Sequence, residues 1–459
     1  MGLLLVSAGG AVALTGGAAA SETTPSAVAE PTPLSRLRPV VPFNGQYGQL
    51  RDTVTGSRFL PRGANFVRLT DDPVLGYAYH STFEPGRYTT TEADWLLKAL
   101  RRDGYNAVRV FIDPGSVTDA DTHRRPHGMG RGMSRDEPYY GPYLDNVADF
   151  VRRATAQQVR VMFSLDHVPY NAYYLRIIGH VDRAAVNIDG RNLEYLHRSY
   201  VQAKETYLAN FVRGLRSRVG PELLSTVLAY QTDNEAYVVA DKAPYNRMSG
   251  QVTTQDGLTY DMSNPTQRQQ SADANFVVYA NRMVDAVRSE DPAALVTMGM
   301  FTFGAVHRPG PQGMPGYCSS NCQGEYRYPA RPRSLSHWSK LSFLDIHIYP
   351  AHKPGINNPY TLERNLQTIE WQHVRGVVVV GEFGAHKPFY RNDIIAAAYG
   401  MRDMQVDTCQ RGMSGWLFWT YNAGDTELLR QFYSFADQRG AINGQLAPIV
   451  RPDPCSLRG

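Results

Sequence analysis

The sequence predicts an α/β protein built as a (β/α)₈ TIM barrel, with long loops on the C-terminal face of the strands and a short N-terminal hairpin. Two observations predict this fold: eight strand-like runs alternate with helical segments, and the connections between them differ in length. Strict alternation of strands and helices indicates a parallel sheet, and eight repeats favour a closed barrel over an open doubly wound sheet. The predicted strands are Ala64–Leu69, Asn106–Ile112, Val159–Leu165, Val227–Gln231, Leu295–Gly299, Phe343–Tyr349, Val377–Val380 and Gly415–Tyr421.

The connection lengths indicate which end of the barrel carries function. Links from a helix to the next strand are short, as at Asp103–Tyr105 and Glu290–Ala294, whereas links from a strand to the next helix are long. Long loops are uncommon in a compact domain unless they build a site, and in this fold they collect at the C-terminal face. The long links are Asp113–Pro142, Asp166–Asn192, Ala236–Arg268 and Met300–Ser336.

The remaining elements follow from local pattern. Gln49–Gly63 is predicted to form a hairpin that turns at Thr55, Gly56 and Ser57. Helices are predicted where apolar residues recur on one face, as for Trp95, Leu96, Ala99 and Leu100. The predicted helices are Thr91–Asp103, Tyr143–Gln157, Leu193–Val219, Gln269–Ser289, Thr361–His373, Asp393–Arg411 and a last one from about Glu427.

Composition indicates a soluble globular protein with a large core, since 42% of the 459 residues are hydrophobic and 20% are charged. The 47 basic and 43 acidic residues give a net charge of +4. This charge is too small to favour nucleic acid or an anionic membrane as a partner. We therefore expect neutral partners and no stable association with a membrane.

The N-terminal segment has the pattern of a secretory signal. Residues 1–20 carry no charge and end in Ala18-Ala19-Ala20 before Ser21, which matches a signal-peptide cleavage site. Because a basic n-region is lacking, we expect that the true start of the chain lies upstream of Met1 or that the start has been assigned too late. A retained membrane anchor is the weaker alternative to a signal peptide. Residues 21–42 are rich in Pro, Thr, Ser and Ala and predict a disordered linker. Residues 43–459 are then predicted to form the single folded domain of a secreted protein.

Four cysteines in a secreted chain favour disulfides. Cys318 and Cys322 enclose three residues of a loop, so we expect them to pair with each other. Cys409 and Cys455 would then pair and hold the C-terminal tail. A zinc site is the alternative, but the sequence has neither a His-x-His motif nor a second close cysteine pair.

Polar side chains stand at the ends of six of the eight predicted strands. Because the C-terminal ends of barrel strands meet at one face, we expect these side chains to form a single site. His347 and Tyr349 are two residues apart on one strand and should point to the same side. The residues are Arg109, Asp166 and His167, Asn234 and Glu235, His347 and Tyr349, Glu382 and Trp419.

In this strand order the residues resemble those of retaining glycoside hydrolases of the cellulase-like (β/α)₈ clan, and most closely glycoside hydrolase family 5. The resemblance implies that Glu235 is the acid/base and Glu382 the nucleophile, a pair of carboxyls that cleaves a glycosidic bond with retention. It also implies substrate-binding roles for Arg109, His167, Asn234, His347, Tyr349 and Trp419. It extends over about residues 48 to 440, and it departs from the family where Ala236 stands in place of the frequent Pro.

The resemblance implies a secreted, monomeric enzyme that cleaves β-linked glycan by double displacement, without a metal or another cofactor. A catalytically silent carbohydrate-binding barrel, acting as a lectin or scaffold, and a transglycosylase on the same site are the alternatives. Motifs for a nucleophile elbow, a P-loop, a zinc protease or a dinucleotide site are absent from the sequence. The configuration and linkage of the sugar, and endo against exo action, stay open.

One further segment stands on the predicted site face. His123–Arg135 holds four Arg and two His, and such a run is usually a solvated loop. The alternative is a basic rim that attracts an acidic or phosphorylated glycan.

Overall fold

The structure is a computed structural model, and it describes residues 31–42, 47–72, 77–115, 127–131, 135–255, 257–302, 326–350, 361–422, 426–451 and 453–457. The predicted (β/α)₈ barrel is confirmed. Its strands are β1 (Arg62–Phe66), β2 (Ala107–Phe111), β3 (Arg160–Ser164), β4 (Val227–Gln231), β5 (Val296–Thr297 and Gly299–Phe301), β6 (Leu344–His347), β7 (Val378–Gly384) and β8 (Trp416–Trp419).

The barrel closes through its fifth strand. The first segment of β5 pairs in parallel with β4, and its second segment pairs in parallel with β6. β8 pairs with β1, so every barrel strand has a neighbour on both sides. A closed parallel sheet exposes no unpaired edge and directs all eight C-terminal ends to one face.

Seven helices of seven residues or more surround the barrel among the described elements, together with one that lies in a strand-to-helix loop. Polar N-caps begin several of them: the side chains of Thr89, Asn264, Thr361 and Asp393 accept backbone N–H groups of the first helical turn. The surrounding helices are α1 (Thr90–Arg102), α2 (Gly141–Ala156), α3 (Arg198–Leu223), α4 (Pro265–Glu290), α5 (Pro332–Trp338), α6 (Leu362–Thr368) and α7 (Ile394–Gln410).

Shorter elements fill the loops. Helices Ala172–Ile178, Arg183–Val186 and Asn192–Leu196 lie between β3 and α3. The predicted last helix from Glu427 is only Glu427–Arg430, with a second short helix at Asn443–Leu446. The predicted helix Thr361–His373 is divided, since α6 ends at Thr368 and a single 3₁₀ turn spans Trp371–His373.

The N-terminal hairpin is present and has one strand more than predicted. Gln49–Asp52 pairs with Arg58–Phe59 across the expected turn, and Leu37–Val40 pairs with the other edge of Gln49–Asp52. The prediction that residues 21–42 have no fold of their own is therefore wrong for residues 37–40. Leu37 is buried against the lower end of the barrel, and this burial offsets the low strand propensity of a Pro-rich segment.

The barrel interior changes character along its axis. At the N-terminal end Leu37, Leu50, Met162, Leu228 and Leu417 form an apolar plug, which the hairpin covers. The larger core lies between the barrel wall and the helices. Nearer the C-terminal end the barrel interior holds buried polar side chains, among them Asn65, Arg109, Gln231 and His347.

The predicted disulfide between Cys409 and Cys455 is present and connects the end of α7 to the C-terminal segment. Residues Thr32–Gly459 form one compact unit. The predicted signal peptide, the predicted Cys318–Cys322 pair and most of the basic segment at 123–135 lie outside the described residues. Within the described residues, no helix has the length and the apolar character required to cross a membrane.

Candidate active site

Two glutamates face each other at the C-terminal end of the barrel. Glu382 lies within β7, and Glu235 lies four residues beyond the end of β4. One oxygen from each carboxyl and one ring nitrogen of His347 all lie within 4.8 Å of one another. Strand register explains this arrangement, because His347 on β6 is paired with Glu382 on the neighbouring strand.

Glu382 is buried, with 4% of its surface exposed, and both of its oxygens are bound. Arg109 donates from Nη1 to Oε1 at 2.6 Å, and the hydroxyl of Tyr349 donates to Oε2 at 2.6 Å. Burial, together with the charge of Glu382 and this hydrogen bond, raises the pKa of Tyr349 well above its usual value. Tyr349 therefore stays a donor, and each oxygen of Glu382 accepts one short hydrogen bond.

Arg109 on β2 is fully buried and donates hydrogen bonds to several neighbouring side chains. Its Nε and Nη2 donate to Oε1 of Gln231 at 3.1 and 2.6 Å, and its Nη1 donates to Oδ1 of Asn65 at 2.7 Å. Nη2 also donates to Oδ1 of Asn234 at 2.5 Å. One guanidinium thus orients the nucleophile candidate Glu382 and the amide of Asn234 together.

Glu235 differs from Glu382 in exposure and in partners. Its side chain is 26% exposed, and its Oε1 lies 2.9 Å from Nδ1 of His347. Burial lowers the pKa of His347, but the charge of Glu382 and hydrogen bonds to Asp345 and Glu235 outweigh it and raise that pKa to about 10. This shift favours the imidazolium form of His347, in which Nδ1 donates to Glu235.

His167 follows β3 and belongs to an ionic cluster with Asp166, Arg191 and Glu194. Its ring nitrogens lie 3.1 Å from Glu194, 3.2 Å from Arg191 and 3.5 Å from Asp166. The charge of Asp166 raises the pKa of His167. The ring is held by this cluster, so a direct role of His167 in binding substrate stays a prediction.

A cavity of about 350 Å³ lies beside these groups. Asn234 and His167 line it together with Asp113, His80 and Tyr170. His80 stacks on Phe111 with ring centroids 4.2 Å apart, and burial lowers its pKa to about 4. The cavity walls thus combine aromatic faces with polar atoms, which is the composition of a ligand pocket.

Trp419 ends β8 and is 8% exposed. It packs with Val67, Phe111 and Leu429, and the ring of Phe111 meets it edge to face at 5.9 Å between centroids. Its predicted role as the floor under a sugar stays a prediction.

Sequence reasoning missed the residues that support the site from below. Asn65 uses its amide nitrogen to bind the carbonyls of Gly381, Leu417 and Phe418. Gln231 and Asp345 lie below Arg109 and His347, and the amide of Gln231 donates to Asp345. The available signal was spacing, because Asp345 stands two residues before His347 on one strand and so faces the same side.

Glu235, His347 and Glu382 also form the one group of three close metal-donor side chains among the described residues. The guanidinium of Arg109 pairs with Glu382, and the ring of His347 contacts both Glu235 and Glu382. The arrangement is therefore an ion-pair cluster.

No protein-family model matches the sequence, and no curated protein is significantly similar to it. Solved structures match its fold. The exo-β-1,4-mannosidase Op5Man5 from Opitutaceae bacterium strain TAV5 has a TM-score of 0.52 and 15% identity, over 89% of this chain and 61% of its own. The hyperthermostable endo-1,4-β-D-mannanase from Thermotoga petrophila RKU-1 has a TM-score of 0.50 and 14% identity, over 85% of this chain and 99% of its own.

The chain has the (β/α)₈ fold of these glycosidases. A second endo-β-1,4-mannanase structure from Thermotoga petrophila matches with a TM-score of 0.50 and 15% identity, over 86% of this chain and 77% of its own. The predicted resemblance to the cellulase-like (β/α)₈ glycoside hydrolases is confirmed at the level of the fold. The alignment spans about three fifths of Op5Man5, since 61% of that chain is covered.

Proposed function

We propose that the protein is a retaining glycoside hydrolase that cleaves β-glycosidic bonds of a polysaccharide or oligosaccharide by double displacement. The observation that carries the proposal is the approach of Glu235 and Glu382, whose nearest donor atoms lie within 4.8 Å. Retaining enzymes hold their carboxyls about 5–5.5 Å apart, whereas inverting enzymes need about 6.5–9.5 Å to admit a water. The short separation supports retention.

The partners of the two carboxyls support a division of roles. Arg109 and Tyr349 donate to the two oxygens of Glu382, and we assign Glu382 as the carboxylate that attacks the anomeric carbon. Glu235 is the more exposed carboxyl and gives its proton to the leaving oxygen as the bond from that oxygen to the anomeric carbon breaks. The product of this step is a glycosyl ester on Glu382.

The second step reverses the proton transfer. Glu235, now a carboxylate bound by His347, takes a proton from a water molecule that attacks the anomeric carbon. The ester bond breaks, the sugar leaves with its original configuration, and Glu382 is again a carboxylate. Because Arg109 binds Oδ1 of Asn234, we assign the amide N–H groups of Asn234 to the sugar 2-hydroxyl.

We further propose that the substrate is a β-mannan or β-mannoside and that the protein is secreted as a monomer. The named activities of Op5Man5 and the Thermotoga enzymes support the choice of sugar as the first to test. The uncharged N-terminal segment and the Cys409–Cys455 disulfide support secretion. The cavity beside Asn234 is our assignment for the sugar unit next to the cleaved bond.

The test measures product release from β-mannans, β-glucans, galactans and aryl β-glycosides by the wild type, Glu235→Gln and Glu382→Gln. Release that both changes abolish supports the proposal. Glu363→Gln is the matched control, because this glutamate is 58% exposed and pairs with Arg411 at the surface. Proton NMR of the first product gives the stereochemical outcome, and initial inversion would refute retention.

Azide separates the two roles of the glutamates. With a truncated acid/base in Glu235→Ala, azide attacks the glycosyl ester and yields a β-glycosyl azide. With a truncated nucleophile in Glu382→Ala, azide attacks the substrate directly and yields the α-azide. Exchange of these two products between the variants would reverse our assignment.

The alternatives are outcomes of the same experiment. Polysaccharide binding without release from any substrate would favour a lectin or scaffold. Transfer to an added sugar acceptor in place of hydrolysis would identify a transglycosylase.

A further inference from the structure

A carboxylate that the proposed reaction does not use lies directly below the active site. Asp345 on β6 is 0% exposed. Its Oδ2 accepts a hydrogen bond from Nε2 of Gln231 and lies 3.7 Å from Nε2 of His347. Its Oδ1 has no hydrogen-bond partner among the described residues.

The neighbouring strand leaves room for this carboxylate. Gly381 precedes Glu382 on β7, and a Cβ atom at that position would stand 1.8 Å from Oδ1 of Asp345. No side chain fits there while Asp345 keeps its place. Gly381 thus leaves space for a carboxylate inside a barrel whose lower interior is lined by apolar side chains.

Asp345 completes a continuous buried chain of contacts. Arg109 donates to Gln231, Gln231 donates to Asp345, and Asp345 faces the ring of His347, whose other nitrogen contacts Glu235. The two catalytic carboxyls thus stand at the two ends of one network, since Arg109 also binds Glu382.

The charges of this network also balance. The groups that face His347 are Asp345 on its own strand, Glu235 from the β4 end and Glu382 from β7. Arg109 neutralises Glu382, and Asp345 neutralises the imidazolium. Pairing these opposite charges lowers the cost of burying them in a low-dielectric site.

We propose that Asp345 is a positioning residue that acts through His347, keeping the ring charged and directed at Glu235 so that acid/base catalysis is supported in both steps. Gln231 orients Asp345 and connects it to Arg109. The inference rests on the proposed function for its catalytic consequence, but the state of His347 can be measured without any substrate.

The first test uses the wild-type protein alone. With ¹⁵N-labelled histidine, the ring signals of His347 are assigned by their loss in His347→Gln. We expect both ring nitrogens to stay protonated to about pH 9, because the pKa of His347 is raised to about 10 by Glu382, Asp345 and Glu235 against the effect of burial. A neutral His347 ring at pH 7 would overturn the proposal.

The second test removes the charge and keeps the volume, with Asp345→Asn. We expect the His347 ring to lose its proton at lower pH in this variant. The matched control is Asp291→Asn, a side chain that is 5% exposed and pairs with Arg36 away from the barrel mouth. Identical His347 titrations in the wild type and Asp345→Asn would also refute the role of Asp345.

A kinetic test separates positioning from general damage. Departure of a phenyl leaving group needs protonation, whereas departure of a dinitrophenyl group does not. We expect Asp345→Asn to lower kcat/KM at least about tenfold on the phenyl glycoside and much less on the dinitrophenyl glycoside. The tenfold loss is a part of the rate factor of about 10²–10⁴ that general acid–base catalysis contributes. Equal losses on both would indicate a structural role. If the wild type cleaves neither substrate, the proposed function fails, and the NMR result for His347 still decides the inference.

Discussion

Replacing Arg109 by Met tests the electrostatic design of the site most directly. Arg109 is 0% exposed and donates hydrogen bonds to Glu382, Asn65, Asn234 and Gln231. Methionine retains much of the apolar volume but removes the charge and every donor. The variant therefore leaves Glu382 as a buried carboxylate that retains the hydrogen bond from Tyr349 and the His347 ring 3.5 Å away, but not the guanidinium.

The magnitude follows from the burial of the pair. Removing one partner of a buried ion pair costs about 3–5 kcal/mol, because the other charge is left uncompensated in a medium of low dielectric constant. The side chains of Arg109 and Glu382 are 0% and 5% exposed, so solvent screens little of this cost. The loss is a large fraction of the roughly 5–15 kcal/mol that stabilises an ordinary protein.

The assay is equilibrium urea unfolding of Arg109→Met, Glu382→Gln and the double variant. We expect the double variant to lose less free energy of unfolding than the sum of the two single losses, with a coupling energy of about 1.5–3 kcal/mol. The reason is that Glu382→Gln removes the carboxylate that Arg109→Met leaves without its guanidinium. Arg213→Met is the control, because its ion pair with Glu290 has an arginine side chain 61% exposed and should contribute at most about 1 kcal/mol. A loss below about 1 kcal/mol in Arg109→Met, or additive losses, would refute the reasoning.

Three further perturbations have expected outcomes. The pKa of His347 is raised to about 10, so the stability that its charge contributes is fully present below pH 6.5 and is lost as the pH rises through 10. The free energy of unfolding should therefore fall less between pH 7 and 10 in His347→Gln than in the wild type. The variant His180→Gln, at an exposed histidine, is the control and should behave like the wild type. Lys204→Met should cost about 2–4 kcal/mol in urea unfolding, because the buried ammonium donates to the carbonyls of Leu165 and His167, which would lose their partner; a loss below about 0.5 kcal/mol would contradict this role. Replacing Cys409 and Cys455 together by Ser should lower stability by about 2–4 kcal/mol, since the bond closes a loop with a sequence separation of 46 residues, and an unchanged thermal midpoint would argue against that contribution.

Much of the fold could be predicted because its signals are local. Each barrel strand is a short apolar run, and each long helix has a continuous apolar face that requires burial, so neither depends on distant parts of the chain. The observed ends of some strands differ from the predicted ends by a few residues. The predicted strand Val377–Val380 extends to Gly384 and includes Glu382, while the predicted strand Phe343–Tyr349 ends at His347. These limits depend on hydrogen bonds to neighbouring strands, which the local pattern does not contain.

The two wrong predictions of secondary structure also arise from interactions that the local pattern does not contain. Leu37–Val40 was predicted to be disordered from its Pro-rich composition, yet it pairs with Gln49–Asp52 and buries Leu37 under the barrel. The predicted helix after Thr361 is interrupted before Trp371, which stacks on Tyr47 from the N-terminal segment. In both places a contact between distant segments outweighs local preference.

By itself, the sequence determined the alternation of strands and helices, the barrel face on which the long loops collect, and the residue types at each strand end. Only the tertiary structure decided which of these groups touch: that Arg109 binds Glu382, that His347 faces Glu235, and that Asp345 lies beneath them. The physical reason is that secondary structure follows from interactions between near neighbours in the chain. Charge pairing in a buried site depends instead on strand register and burial, which exist only once all eight strands have closed into one barrel.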